Sequence, residues 1–214
     1  MEDIIKFSSP DQFLKRAFKQ FPQAREAMMN AQGISSKLLP YQAAMLYGLV
    51  LPYNRPGVSI LEIGTFAGHS AAIMAQAAPL AQIVTLNPVK HEHGEAIINL
   101  AKFRNIHPVN EASWNFLVQT PDDYQPDVVF IDGDHKNIGL DLPLWDRLNT
   151  GGLMLFHDYS PPLAKNPCPP VYDAVNTLSE ALGRGKPDVC IIDTDLIGMA
   201  GFYKGVDDVK LLYS

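Results

Sequence analysis

From Val58 onward, short apolar runs alternate with longer stretches of mixed polarity, and two helix-like stretches precede them. Ser9 as cap, Pro10 at the first position and Gln12 three residues after the cap predict a helix that runs to about Gln32, where Gly33 ends it. A second helix is expected from Pro40 to Leu51, before Pro52, Asn54, Pro56 and Gly57 break the pattern. Val58, Ile60, Leu61 and Ile63 then make a short, mostly apolar strand that reads as buried on both faces. An Ala-rich helix, Ser70 to Ala78, follows a tight turn bracketed by Gly64 and Gly68. Further strands are expected at Ile83–Leu86, Ile106–Asn110, Asp127–Ile131 and Leu153–Phe156. Helices are expected at His91–Arg104, Ile138–Leu148 and Val171–Leu182, the last after a loop, Ser160–Pro170, with five prolines. Val189–Asp193 and Ile197–Tyr203 close the chain as two strands. Alternating strand and helix means α/β architecture with a parallel sheet.

The totals narrow the class. At 214 residues, 47% hydrophobic and 19% charged, the chain fits one ordinary globular domain, or one with an appendage. The natural division is a helical cap over 1–56 and a nucleotide-binding domain over 57–214. A net charge of −6 without a basic block argues against nucleic acid as a partner, because phosphate contacts need clustered Lys and Arg. Cys168 and Cys190 are too few for a disulfide scaffold or a zinc site. The N-terminus has early acids and no apolar core of signal length, and the apolar stretch Ala43–Tyr53 is too short to span a bilayer. A cytoplasmic protein with no membrane partner is expected.

A strand, a glycine loop and a helix N-terminus together form a cradle for a nucleotide-like ligand. Here the loop reads Gly64-Thr65-Phe66-Ala67-Gly68, without the second early glycine of the dinucleotide fingerprint. Glu62, just before it, can accept from a ligand ammonium or a ribose hydroxyl. The run LEIGTFAGHSA resembles the first motif of class I methyltransferases that use S-adenosylmethionine, particularly the catechol-type O-methyltransferases. The resemblance implies a Rossmann-like, doubly wound sheet, mostly parallel with one reversed strand, which the final hairpin matches. It implies further that the N-terminal helical cap covers the active site or joins the partner of a homodimer. Glu62, Gly64, Thr65, Phe66, Gly68 and Ser70 would hold the donor.

The resembled family places an acid for the ribose hydroxyls at the end of the second strand. This chain has Val84-Thr85-Leu86-Asn87-Pro88 there, so the role falls to Asn87 or, in another register, Thr85; a turn-forming Asn before Pro is the structural alternative. Ser113 fits the small polar residue that touches adenine, and Trp114 either stacks on the base or caps the core. After the fourth strand comes Ile131-Asp132-Gly133-Asp134-His135, and after the fifth His157-Asp158. Ends of neighbouring parallel strands lie about 4.8 Å apart, so these clusters converge. Asp132, His157 and Asp158 would then offer ligands to a divalent ion, Mg²⁺ or another, with Asp132 also among the donor-binding residues. The resemblance to metal-dependent and sugar or macrolide O-methyltransferases makes His135 the base that removes the acceptor proton. The alternative is that the acids cap helices.

These readings converge on methyl transfer from S-adenosylmethionine to a hydroxyl oxygen of a small molecule, assisted by a metal. Two rivals share the strand-loop-helix start: a nicotinamide-dependent oxidoreductase and a non-catalytic nucleoside-binding relative.

Overall fold

The computed structural model describes residues 10–193 and 196–208. These fall into two compact units that divide between Ala112 and Ser113. The first holds α1 (Pro10–Gln20), α2 (Pro22–Asn30), α3 (Pro40–Val50), β1 (Ser59–Ile63), α4 (His69–Ala77), β2 (Gln82–Leu86), α5 (Lys90–Leu100) and β3 (Ile106–Val109). Its strands are parallel in the order β3-β2-β1, with Ile60 beside Ile83 and Glu62 beside Thr85. Ile60, Leu61 and Ile83 are fully buried, as continuous apolar strands in a parallel sheet should be.

The expected single helix up to Gln32 is two helices. Pro22 lacks an N–H and crowds the residue before it, so Phe21 leaves the helical region at φ −127°, ψ 74° and α2 restarts with proline in its first turn. The apolar stretch around α3 is core: Tyr41 to Tyr47 and Val50 are all buried. Helix α3 packs against α1, α2 and α4. The facing helices are rich in alanine, with Ala43 and Ala44 on α3 and Ala71, Ala72 and Ala75 on α4 all buried. The N-terminal helices thus share a core with the glycine-loop helix, in the same compact unit as β1–β3.

The second unit holds α6 (Ser113–Gln119), β4 (Val128–Ile131), a 3₁₀ turn (His135–Leu140), α7 (Leu144–Arg147), β5 (Leu153–Tyr159), α8 (Pro169–Ala181), β6 (Val189–Asp193) and β7 (Leu196–Tyr203). The strand order is β4-β5-β7-β6, with β4 parallel to β5 and β7 antiparallel to both of its neighbours. Trp145, Phe130, Phe156 and Phe202 fill this core completely buried. The helix expected over Ile138–Leu148 is only a 3₁₀ turn and four α-helical residues, because Pro143 interrupts it. Helix α6 was not anticipated from the pattern. Strand β5 runs three residues past its expected end, so His157 and Asp158 lie within it rather than after it. The strands are thus parallel in both units except for one reversed strand, β7, as the sequence implied. Among the described residues no helix is long and apolar enough to cross a membrane.

Candidate active site

The glycine loop is held by its backbone. The N–H groups of Gly64 and Thr65 both donate to the carbonyl of Leu86 at the end of β2, and Gly68 N–H closes the turn onto Thr65. Gly64, Phe66 and Gly68 all have positive φ (101°, 46° and 97°), a contortion that glycine tolerates and phenylalanine adopts only under constraint. At Gly68 the requirement is also one of packing: a Cβ would sit 2.8 Å from the Leu100 side chain of α5. Helix α4 starts at the next residue, and its first N–H groups have no acceptor within the helix. Glu62 is fully buried and accepts a hydrogen bond from the Thr85 hydroxyl, which lies 2.6 Å from the hydroxyl of Thr65. Thr65, Thr85 and Glu62 therefore form one buried polar chain beneath the loop.

Thr85 is committed to that chain. Asn87 is buried at the strand end, where its Oδ1 accepts from Val89 N–H and its Nδ2 donates to Glu92 Oε2 at 2.9 Å. The Asn is thus both the turn former and the holder of an acid. Glu92, in the first turn of α5, places at this strand end a carboxylate that the strand itself lacks, five positions later than a strand-end search would look. Ser113 is buried and donates to Asp141, while Trp114 beside it is 43% exposed and caps no core. Burial pushes the Asp141 carboxyl up to about 6, against the Ser113 hydrogen bond that lowers it and with the nearby Asp134 charge adding to the rise.

The second polar cluster is built on a bulge. Adjacent residues of a strand point to opposite faces, but the β5–β7 register slips between His157 and Tyr159, and Asp158 has φ +59°. Across the slip His157 and Asp158 join one polar cluster. His157 Nδ1 lies 2.9 Å from Asp132 Oδ1 and 3.2 Å from Asp158 Oδ1, and His135 Nε2 lies 2.9 Å from Asp158 Oδ2. His157 is 2% exposed, with its Nε2 buried and unpaired. Burial alone would lower the His157 imidazole, but Asp132 and Asp158 outweigh it and hold it at about 10. Burial would likewise raise Asp158, yet His135 and His157 keep it well below the usual carboxylate range. The Asp158 contact holds His135 above its ordinary value against its own burial. Asp134 stands apart: it caps the 3₁₀ turn through Lys136 N–H and the Asn137 amide, and these bonds lower its pKa.

Among the described residues, one group of side chains has ligand atoms within 4.8 Å of one another: Asp132, His135 and Asp158. Two carboxylates and an imidazole form a donor set that suits a divalent ion. His157 stands beside this group. Its Nδ1 lies between the two carboxylates and orients them, as groups behind a metal ligand do.

Residues 61–159 match the protein family described as a methyltransferase domain. Over 157 residues the chain is 29% identical to an uncharacterized protein of Acanthamoeba polyphaga mimivirus, covering 66% of this chain and 68% of that one. The Podospora anserina methyltransferase PaMTH1, solved with S-adenosylhomocysteine bound, superposes with a TM-score of 0.67 at 16% identity, covering 95% of this chain and all of that one. The O-methyltransferase TomG of Streptomyces achromogenes, solved with S-adenosylmethionine, gives a TM-score of 0.62 at 18% identity over 95% of this chain and 93% of that one. Residues 61–159 thus match a methyltransferase-domain family, and the chain has the Rossmann-like fold of these solved methyltransferases.

Proposed function

We propose that the protein transfers a methyl group from S-adenosylmethionine to a hydroxyl oxygen of a small molecule, with His135 as the base. The observation that carries this reading is the contact between His135 and Asp158 on the bulged end of β5. With Nε2 turned to Asp158, the imidazole keeps its other nitrogen, Nδ1, to accept a proton, and the carboxylate stabilises the imidazolium that results. His157, shared between Asp132 and Asp158, neutralises one of the two carboxylates and leaves a single negative charge to favour that step. The acceptor oxygen forms its bond to the methyl carbon as the carbon–sulfur bond breaks, and the electron pair goes to sulfur, giving the uncharged thioether. The donor's positive sulfur makes the methyl electrophilic already, so the protein's task is positioning and deprotonation. Donor binding is assigned to Glu62–Ser70, with the ribose hydroxyls on Asn87 and Glu92; support comes from the relatives solved with donor or product and from the carboxylate that Asn87 holds.

A second reading is favoured by the grouping of Asp132, His135 and Asp158. These three would hold a divalent ion, which when bound supplies a Lewis acid that lowers the pKa of the acceptor hydroxyl. His135 would then be a ligand and not the base.

Turnover of hydroxylated acceptors with labelled donor, before and after chelation, separates the two. If chelated enzyme stays active and His135→Ala slows it by about 10²–10⁴, the base reading stands. Activity that disappears on chelation and returns with Mg²⁺ or Mn²⁺ moves His135 into the ligand set. An active enzyme indifferent to both treatments overturns the assignment.

A further inference from the structure

A cavity of about 460 Å³ opens between α2, the last turn of α4 and the turn that joins α5 to β3. The volume is that of a small-molecule site, and every lining residue belongs to the first compact unit. The cavity lies at the opposite end of α4 from the glycine loop, with Gln76 roughly 10 Å along the helix from His69. Side chains hold its walls in place. Gln76 donates to the carbonyls of Ala27 and Ala72 and accepts from the Asn30 amide, which ties α2 to α4. Lys102 Nζ donates to the Asn30 carbonyl at 2.7 Å, and Asn105 donates to the carbonyls of Ala78 and Ala81. The α5–β3 turn is thereby fixed to both helices.

Inside these walls the charges are unspent. Glu26 on α2 and Arg104 in the turn both line the cavity, and among the described residues neither makes an ion pair or a side-chain hydrogen bond. Lys102 has used one of its three N–H donors. Tyr47 of α3 is 5% exposed yet also lines the cavity, and its hydroxyl has no hydrogen-bond partner among the described residues. Burial and the neighbouring Glu26 charge hold the Tyr47 phenol above its ordinary value, so it stays a neutral O–H. Ala27 and Ala75, each 3% exposed, and the half-buried Phe103 supply the apolar part of the lining. Opposite charges thus share one cavity without pairing.

We propose that this cavity is a second binding site, for a small zwitterion of the α-amino-acid class, with its ammonium on Glu26 and the Tyr47 hydroxyl and its carboxylate on Arg104 and Lys102. An apolar side chain of the ligand lies against Phe103, Ala27 and Ala75. Charge-assisted hydrogen bonds at both ends let the site read two groups at once. A ligand with only an anion is repelled by Glu26, and one with only an ammonium by Arg104, so the lining selects for both signs in one molecule. The site stands apart from the glycine loop, and the inference does not depend on the donor reading above.

A screen of the common L-amino acids by ligand-observed NMR, at up to about 10 mM, tests this. The tightest binder is then compared with its amide, which lacks the carboxylate, and its N-acetyl form, which lacks the ammonium. Each blocked form should bind about tenfold more weakly, the loss of one charged hydrogen bond. Glu26→Gln should weaken the free amino acid by about tenfold and leave the N-acetyl form within about twofold of wild type. Arg104→Gln should weaken the free amino acid likewise and spare the amide. Tyr47→Phe keeps the ring and should weaken the free amino acid and the amide together. Glu26 and Arg104 are exposed, so both variants should unfold at the wild-type denaturant midpoint. Binding by none of the amino acids, equal binding of free and blocked forms, or affinity unchanged in both charge variants overturns the proposal. Displacement of the bound amino acid by S-adenosylhomocysteine would place it in the glycine-loop cradle and overturn the second site, while leaving the donor reading intact.

Discussion

A buried carboxylate makes the sharpest test at the scale of one residue. Asp141 is 4% exposed and its pKa is raised by burial to about 6, from an unfolded value of about 3.8. The folded state therefore binds this proton more tightly than the unfolded chain. The group's stabilising contribution is complete below about pH 4 and is lost as pH rises toward 6, above which the fold carries a buried charge at a cost of at most roughly 3 kcal/mol. Asp141→Asn removes the charge and keeps an oxygen for the Ser113 hydroxyl. Denaturant unfolding at pH 7.5 should show the variant more stable by about 1–2 kcal/mol, the new amide N–H groups offsetting part of the gain. The two proteins should converge near pH 4. A second residue-scale test concerns the ribose. Asn87→Ala removes the holder of Glu92 and should weaken donor binding by about 1–2 kcal/mol, and Glu92→Gln should do the same with the Asn in place. Affinity unchanged in both would move the ribose contact elsewhere.

Elements meet their constraints where two of them touch. Gly68 joins the glycine loop to α4 with φ +97° and faces Leu100 of α5. Gly68→Ala must place a side chain in a left-handed conformation and push into a buried leucine, which is 2% exposed. We expect a loss of about 2–4 kcal/mol in unfolding free energy, from backbone strain and overpacking together. Measured against Leu100→Ala alone, whose own cavity cost is thereby subtracted, Gly68→Ala should recover part of the loss, because the collision is gone and the strain remains. No recovery would place the whole cost in the backbone. On the other unit, β5 shows how a strand re-aims side chains: without the bulge His157 and Asp158 would face opposite sides, and His135 and Asp132 could not both reach them.

For the molecule as a whole, ligand binding and stability are linked. A donor that binds only the native state at about 100 times its Kd adds about 2.7 kcal/mol of stability. In a chain of this length that corresponds to a rise in Tm of roughly 5–10 °C. Thermal unfolding should show this shift with S-adenosylmethionine or S-adenosylhomocysteine and none with NAD. The opposite pattern would favour the oxidoreductase alternative. Divalent ions alone should raise Tm only if Asp132, His135 and Asp158 hold one.

What the linear sequence determined by itself is local or periodic. Apolar runs fixed the strands β1 to β5 to within a few residues, and Gly64 and Gly68 announced a tight turn between β1 and α4. The clusters around Asp132 and His157 were legible because ionisable groups rarely crowd the end of an apolar strand without a task. Prolines 22 and 143 also lay in plain view, and the helices they divide are the part of the pattern that apolar spacing alone misses. Tertiary structure decided everything that depends on which side chains meet. It turned Thr85 onto Glu62, gave Asn87 a carboxylate to hold, and set Lys37 over Phe66 from a linker with no pattern of its own. It also set His157 between two carboxylates, next to a one-residue slip in β5, and gathered His135 with Asp132 and Asp158. Period reports which face a residue occupies in a regular strand. A bulge breaks that period, and only the pairing of β5 with β7, far along the chain, creates it.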